Sequence, residues 1–150
     1  MKLYQNGLFE KIKHHRVVAW DVDGVLLGHL RSPGFHKLIT ENPFDQEHVV
    51  VTFRTHGLQP LIFQDLSNHY RETAPQEKHF QNVMCCPGDL WQSVFQTQKV
   101  NPLDLTEYRH WKGHACHGQT ADVLIEDDFY HTELGCRYYD IDLIHPDDFL

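Results

Sequence analysis

Four short apolar runs, each ended by polar or turn-forming residues, constrain the fold of this chain most tightly. They are Val17-Val18-Ala19-Trp20, closed by Asp21; Val49-Val50-Val51, closed by Thr52; Val83-Met84-Cys85-Cys86, closed by Pro87-Gly88; and Val123-Leu124-Ile125, closed by Glu126-Asp127-Asp128. A fifth, weaker run covers Tyr138-Tyr139 to Ile141. Apolar, largely β-branched runs without alternation suit strands buried on both faces, as in a parallel sheet. Helical patterns lie between them. Leu58, Leu61, Ile62, Asp65, Leu66 and His69 follow a helical spacing in which Asp65 is the polar exception. Leu90, Trp91, Val94 and Phe95 do the same, and weaker helices cover Phe35 to Thr40 and Leu105 to Cys116. Pro102 is placed to open the last of these and Gly118 to end it.

Alternating strand and helix predicts βαβ units, and so an α/β fold: a three-layer, doubly wound parallel sheet of Rossmann-like form. With 150 residues, the chain has the length of one domain, 1–150, able to bury a core without disulfides or a structural metal. No repeat and no Gly/Ser/Pro-rich linker divides it.

Composition removes several classes of function. No apolar run approaches the ~18 residues that a membrane span needs. Residues Met1 to Lys13 mix Lys2, Glu10, Lys11 and Lys13 with isolated apolar residues, which is not the pattern of a secretory signal. A cytoplasmic protein with no membrane partner is the expectation. The net charge of −8 argues against extended nucleic-acid binding, which normally uses a basic surface, but permits a local basic pocket. The four cysteines, Cys85, Cys86, Cys116 and Cys136, contain no CxxC pair and read as buried thiols of a reducing compartment. Zinc on Cys116 with His114 or His117 would lack a second ligand knuckle. The 13 histidines make the net charge sensitive to pH near 6.

In doubly wound sheets, ligands bind beyond the carboxyl ends of the strands. Asp21, Thr52 and the Glu126-Asp127-Asp128 cluster all fall there. In Asp21-Val22-Asp23-Gly24-Val25, two carboxylates at i and i+2 can face one cleft once the chain turns, and Gly24 permits both the turn and a close backbone approach to a ligand. Such a pair suits a nucleophile, Asp21, and a general acid/base, Asp23.

These segments resemble the motifs of the haloacid dehalogenase superfamily. Val17 to Val25 matches its strand followed by DxDG(T/V). Val49 to Thr52 matches a strand ending in Thr or Ser. Lys112 is the best match to its lysine, with Lys99 the runner-up. Val123 to Asp128 matches a strand ending in an acidic pair. All four occur in the family's order, so the resemblance covers most of the chain. It implies a Mg²⁺-dependent phosphomonoester hydrolase acting through an aspartyl-phosphate on Asp21, with Asp23 as general acid/base.

The resemblance also assigns phosphate contacts to Thr52 and Lys112, with Gly24 in the phosphate-binding loop. It assigns Mg²⁺ to Asp21, the Asp23 backbone carbonyl and the acidic cluster. Asp127 fits either register of that cluster and is ranked first, Asp128 second and Glu126 third. A longer form of the motif carries another Asp four residues on, where this chain has His131. Thr52-Phe53-Arg54 is similar to the hydroxyl-x-Arg of the phosphatase module of polynucleotide kinase-phosphatases, which makes Arg54 a candidate phosphate contact.

Residues 24–51 and 87–111 are each shorter than the ~50 residues of a small domain, so little or no cap is expected. The site should be open, or covered by short loops or a partner subunit, which leaves room for a homo-oligomer. The expected partner is a phosphorylated substrate, either a small molecule or a terminal phosphate. The alternatives are a nucleotidase or polynucleotide-end phosphatase, and a catalytically inactive binding or signalling module. A response-regulator receiver is disfavoured, because its accepting Asp follows the third strand, where this chain has Cys85-Cys86-Pro87.

Overall fold

A computed structural model describes residues 9–150. The expectation drawn from Met1–Lys13 falls largely on residues 1–8, outside the described residues. The apolar runs form an all-parallel sheet of five strands: β1 (Val17–Trp20), β2 (Glu47–Thr55), β3 (Asn82–Cys86), β4 (Val123–Ile125) and β5 (Asp142–Ile144), in the order β3-β2-β1-β4-β5. Helices α1 (Ser32–Glu41), α2 (Gln59–His69), α3 (Gly88–Phe95), α4 (Pro102–Gly118) and α5 (Glu133–Tyr138) complete the fold.

Alternation along the strands makes the three layers. Val18 and Trp20 of β1, Val50 of β2, and Val123 and Ile125 of β4 share one face with Phe35 and Leu38 of α1 and Ile62 and Leu66 of α2. Val17, Ala19, Val49, Val51 and Leu124 point the other way, to Ala115 and Cys116 of α4 and Cys136 of α5. Every residue of β1 and β4 is therefore buried, the physical reason these runs show no polar alternation. Trp20 is core, with its Nε1 donating to His48 Nδ1 at 3.0 Å. All four cysteines are free and buried. Among the described residues no helix is long and apolar enough to cross a membrane.

Two expectations need correction. The fifth strand is not Tyr138–Ile141. Tyr138 ends α5 and is 73% exposed, and the chain turns through Asp140 at φ 57° before β5 begins at Asp142. The tyrosine pair belongs to a helix end: Tyr139 stacks on His117 and its Oη meets His114 Nδ1 at 3.0 Å. Nor does β2 stop at Thr52. It runs to Thr55, and its register on β3 slips so that Thr52 pairs with Cys85 and Thr55 with Cys86. Phe53 and Arg54 fill that irregularity, which bends a strand and re-aims its side chains.

Sheet order places the site. β1 lies between β2 and β4, and consecutive strands leave it in opposite directions, which opens a crevice at its carboxyl end. Residues 24–51 hold a turn, α1 and the start of β2, and residues 87–111 hold α3 and part of α4. Neither segment forms a separate unit over that crevice.

Candidate functional site

Asp21 continues β1 by one residue, and its backbone N–H donates to Ile125 O at 3.1 Å. The β1–β4 register, in which Trp20 pairs with Ile125, therefore sets Asp21 beside Glu126. Lys112, on the inner face of α4, reaches both. Its Nζ donates to Asp21 Oδ1 at 2.8 Å and forms an ion pair with Glu126 Oε2. All three side chains are buried. The same Nζ lies 4.4 Å from the centroid of the Phe53 ring, a cation–π distance.

Two buried carboxylates share one ammonium. Burial raises the Asp21 carboxyl, and Lys112 offsets only part of that. Burial raises Glu126 well above the ordinary carboxyl range, and the neighbouring Asp21 adds to the shift. For Lys112, burial pulls downward, but Asp21 and Glu126 outweigh it and hold the ammonium above its usual value. A charged lysine with no exposed surface is tolerated because both its partners are acids.

Asp127 joins this group: one carboxylate oxygen each from Asp21, Glu126 and Asp127 lie within 4.8 Å of one another. Three carboxyl groups stand against one ammonium, and the donors are all hard oxygens, a set that suits Mg²⁺. Gly24 makes room for the Asp127 side chain. Its φ is 82°, and a Cβ there would stand 2.1 Å from Asp127 Oδ2. Among the described residues this is the one cluster of three or more candidate metal ligands.

The ranking within the acidic cluster changes accordingly. Asp128 is not part of the cluster. Its carboxylate takes the N–H of His131 at 3.2 Å and meets His131 Nδ1 at 2.7 Å, and its carbonyl accepts from Thr132 Oγ1 at 2.6 Å. Glu126, ranked last from sequence, is at the centre, and its Oε1 accepts the Asp128 N–H at 3.1 Å. Asp128 closes the turn after β4, whereas Glu126 directly follows the strand and points into the crevice. The expected lysine is the central one: Lys99, the runner-up, is exposed in the segment before α4.

Asp23 lies in a tight loop in which Gly24 N donates to Leu27 O at 2.8 Å and Leu27 N to Val22 O at 2.9 Å. Val22, Val25 and Leu26 anchor the loop in the core. Both Asp23 oxygens are held by Arg54, with Nε on Oδ2 at 3.0 Å and Nη2 on Oδ1 at 2.9 Å. Arg54 Nη1 donates to Asp65 Oδ2 at 2.8 Å. Asp65 therefore has a partner that accounts for a polar residue in the apolar pattern of α2. Thr52 is buried, and its Oγ1 accepts from Arg54 N at 3.1 Å, which leaves its O–H to donate.

The crevice has a volume of about 300 Å³, with Asp21, Asp23, Thr52, Glu126, Asp127 and Asp128 in its wall. Beside it runs a second cavity of about 380 Å³, which shares Asp23 and Phe53 and adds Arg54, Thr55, Leu58 and Trp91. No local pattern in the chain marks this neighbour, because its walls come from the Asp23 loop, the end of β2 with the turn after it, and α3.

No family model matches the chain, and no curated protein matches it. Among solved structures, it is similar to an uncharacterized protein from Corynebacterium glutamicum ATCC 13032 Kitasato, with 15% identity and a TM-score of 0.49, over 87% of this chain and 83% of that one.

Proposed function

We propose that the chain is a Mg²⁺-dependent phosphomonoesterase of the haloacid dehalogenase type, acting through an aspartyl-phosphate on Asp21. One observation carries this reading: a buried strand-end carboxylate, Asp21, is paired to a wholly buried lysine and stands within 4.8 Å of two further carboxylates. The sequence order of Asp21, Asp23, Thr52, Lys112 and the acidic cluster agrees with it.

In this reading an Asp21 oxygen attacks phosphorus, and the bond from phosphorus to the ester oxygen breaks. The departing oxygen keeps that electron pair and takes a proton from Asp23. Water then attacks the phosphorus of the aspartyl-phosphate and gives a proton back to Asp23, releasing phosphate and restoring Asp21. Lys112 holds Asp21 in place and offsets its charge, and the Thr52 hydroxyl donates to a phosphoryl oxygen. Asp21, Glu126 and Asp127 are the residues that would hold Mg²⁺. The bound cation supplies the charge neutralisation that lets a carboxylate approach a phosphate.

Asp23 must turn one oxygen from Arg54 toward the leaving group. That requirement favours one second reading, an inactive binding module in which the Arg54–Asp23 pair never opens. Hydrolysis of p-nitrophenyl phosphate separates the two. The enzyme reading requires Mg²⁺-dependent release that Asp21→Asn abolishes. Release that survives Asp21→Asn rejects the aspartyl-phosphate mechanism. Absence of release, together with beryllofluoride binding that Asp21→Asn removes, supports the module.

A further inference from the structure

The cavity beside the crevice is apolar in character and lies one side chain away from the acidic site. Phe53 and Asp23 line both spaces, so a molecule with its phosphate in one has its next atoms in the other. The new surface is supplied by Phe53, Leu58 and Trp91. Phe53 is stacked on Tyr108 with ring centroids 4.3 Å apart and planes 16° apart and carries Lys112 Nζ over its ring, so it offers the cavity its edge and leaves the stacking face to Trp91. Trp91 is half-buried and packs on Phe95 at 5.4 Å. Leu58 is 44% exposed, an apolar side chain left open to solvent at the cavity's edge.

Charge narrows the occupant. Arg54 is the cation in this lining, and its Nε, Nη1 and Nη2 are all committed to Asp23 and Asp65. Asp65 offsets the guanidinium even when Asp23 carries the proton it donates, so no uncompensated positive charge remains to hold a second anionic group. A net charge of −8 adds to that preference. A diphosphate, a triphosphate or a polynucleotide end would bring negative charge to walls that cannot pair it, whereas a flat uncharged ring fits walls made of Phe53, Leu58 and Trp91. A volume of about 380 Å³ is in the range of small-molecule sites.

From the shared wall, the aromatic lining and the offset charge of Arg54, we infer that this cavity binds the leaving group of the substrate, and that the substrate is a small aryl or arylmethyl phosphomonoester with an uncharged ring. The inference rests on the phosphomonoesterase reading and adds the substrate class and Trp91 as a specificity residue. Intrinsic reactivity is removed from the test by comparing two alkyl esters of similar leaving-group acidity, benzyl phosphate and cyclohexylmethyl phosphate. The readout is their ratio of kcat/KM within each variant, so a general loss of activity cancels. The planar ester is expected to be preferred roughly tenfold, the size of one favourable ring stack. Trp91→Ala should bring the ratio close to one, and Trp91→Phe, which keeps a ring, should retain it. 4-Carboxybenzyl phosphate should be turned over several-fold more slowly than benzyl phosphate. A wild-type ratio near one, a ratio unchanged in Trp91→Ala, or equal turnover of the carboxylated ester overturns the inference and leaves the phosphomonoesterase intact. Absence of Mg²⁺-dependent hydrolysis of every ester, p-nitrophenyl phosphate included, overturns the underlying reading and the inference together.

Discussion

Lys112 Nζ lies 2.8 Å from Asp21 Oδ1, 91 residues away in the chain, and the lysine has no exposed surface. The pair ties α4 to the end of β1. Removing a buried ammonium strands the charges it offset, at a cost of about 3–5 kcal/mol. Lys112→Met should therefore unfold at markedly lower urea concentration than wild type. Adding Glu126→Gln removes one of the two stranded acids, so the double variant should recover part of the loss. A double-mutant cycle by urea denaturation measures this coupling. Additive losses would mean that Lys112 and Glu126 do not act as a pair.

The acidic cluster makes a prediction within three consecutive residues. Glu126→Gln and Asp127→Asn each take a carboxylate from the proposed cation site, and apparent Mg²⁺ affinity should fall by about 10–100-fold. Asp128→Asn changes a side chain of the crevice wall that His131 holds in the turn, outside the three-acid cluster, and its Mg²⁺ dependence should match wild type. Titration of turnover against Mg²⁺ orders the three. Loss confined to Asp128→Asn would place the cation elsewhere.

Arg54 links the proposed acid to the fold. The Asp23 side chain is 59% exposed, but Arg54 itself is only 14% exposed and Asp65 36%, so the Arg54–Asp65 pair contributes more than the ~1 kcal/mol of a fully exposed pair. The prong of Arg54 that stays on Asp23 once its other oxygen turns to the leaving group sets where the proposed acid points. Arg54→Ala should lower the urea midpoint and, where it is still folded, lose on the order of 100-fold in kcat, the scale of general acid catalysis. Arg54→Lys should not restore it, because an ammonium cannot reproduce the fork. Wild-type kcat in Arg54→Ala would show that Asp23 needs no positioning.

Burial lowers the pKa of two histidines, His36 and His48, and His48 shows the stability consequence most clearly. Trp20 Nε1 can only donate, so His48 Nδ1 accepts and its Nε2–H faces Asn42 Oδ1 at 3.3 Å. The neutral ring fits this arrangement, and burial lowers its pKa from 6.5 to about 4. Between those values the unfolded chain binds a proton that the folded chain does not, so stability rises with pH. The contribution is complete above about pH 6.5 and is lost as pH falls through the window toward 4, by about 3 kcal/mol. Urea midpoints should drop from pH 7.5 to pH 5, and His48→Gln should flatten that part of the profile. An equal slope in the variant would assign the pH effect to other groups.

Legibility from sequence followed how local each signal was. β1, β4 and the centre of β2 are readable because burial on both faces removes polar alternation; β3, a partly buried edge strand, is readable from its apolar run closed by Pro87-Gly88; β5 is not, because three residues beyond a helix end carry no pattern. Asp21 and Lys112 stood out by type and order. Glu126, third in the sequence ranking, is the acid that meets Lys112 beside Asp21, since the register of a three-acid run depends on which residue first clears the strand. The slip of β2 against β3 that turns Arg54 to Asp23, and the meeting of Phe53, Leu58 and Trp91, arise from tertiary pairing with no local marker.

The central claim is a covalent phosphate on Asp21, and chemical trapping tests it most directly. Borohydride reduces an acyl phosphate to the alcohol, so protein quenched during turnover of p-nitrophenyl phosphate with Mg²⁺ should carry homoserine at position 21, read by peptide mass spectrometry. The account predicts that conversion at Asp21 alone, dependent on substrate and Mg²⁺. Reduction at another carboxylate, or steady turnover with Asp21 never reduced, would contradict it.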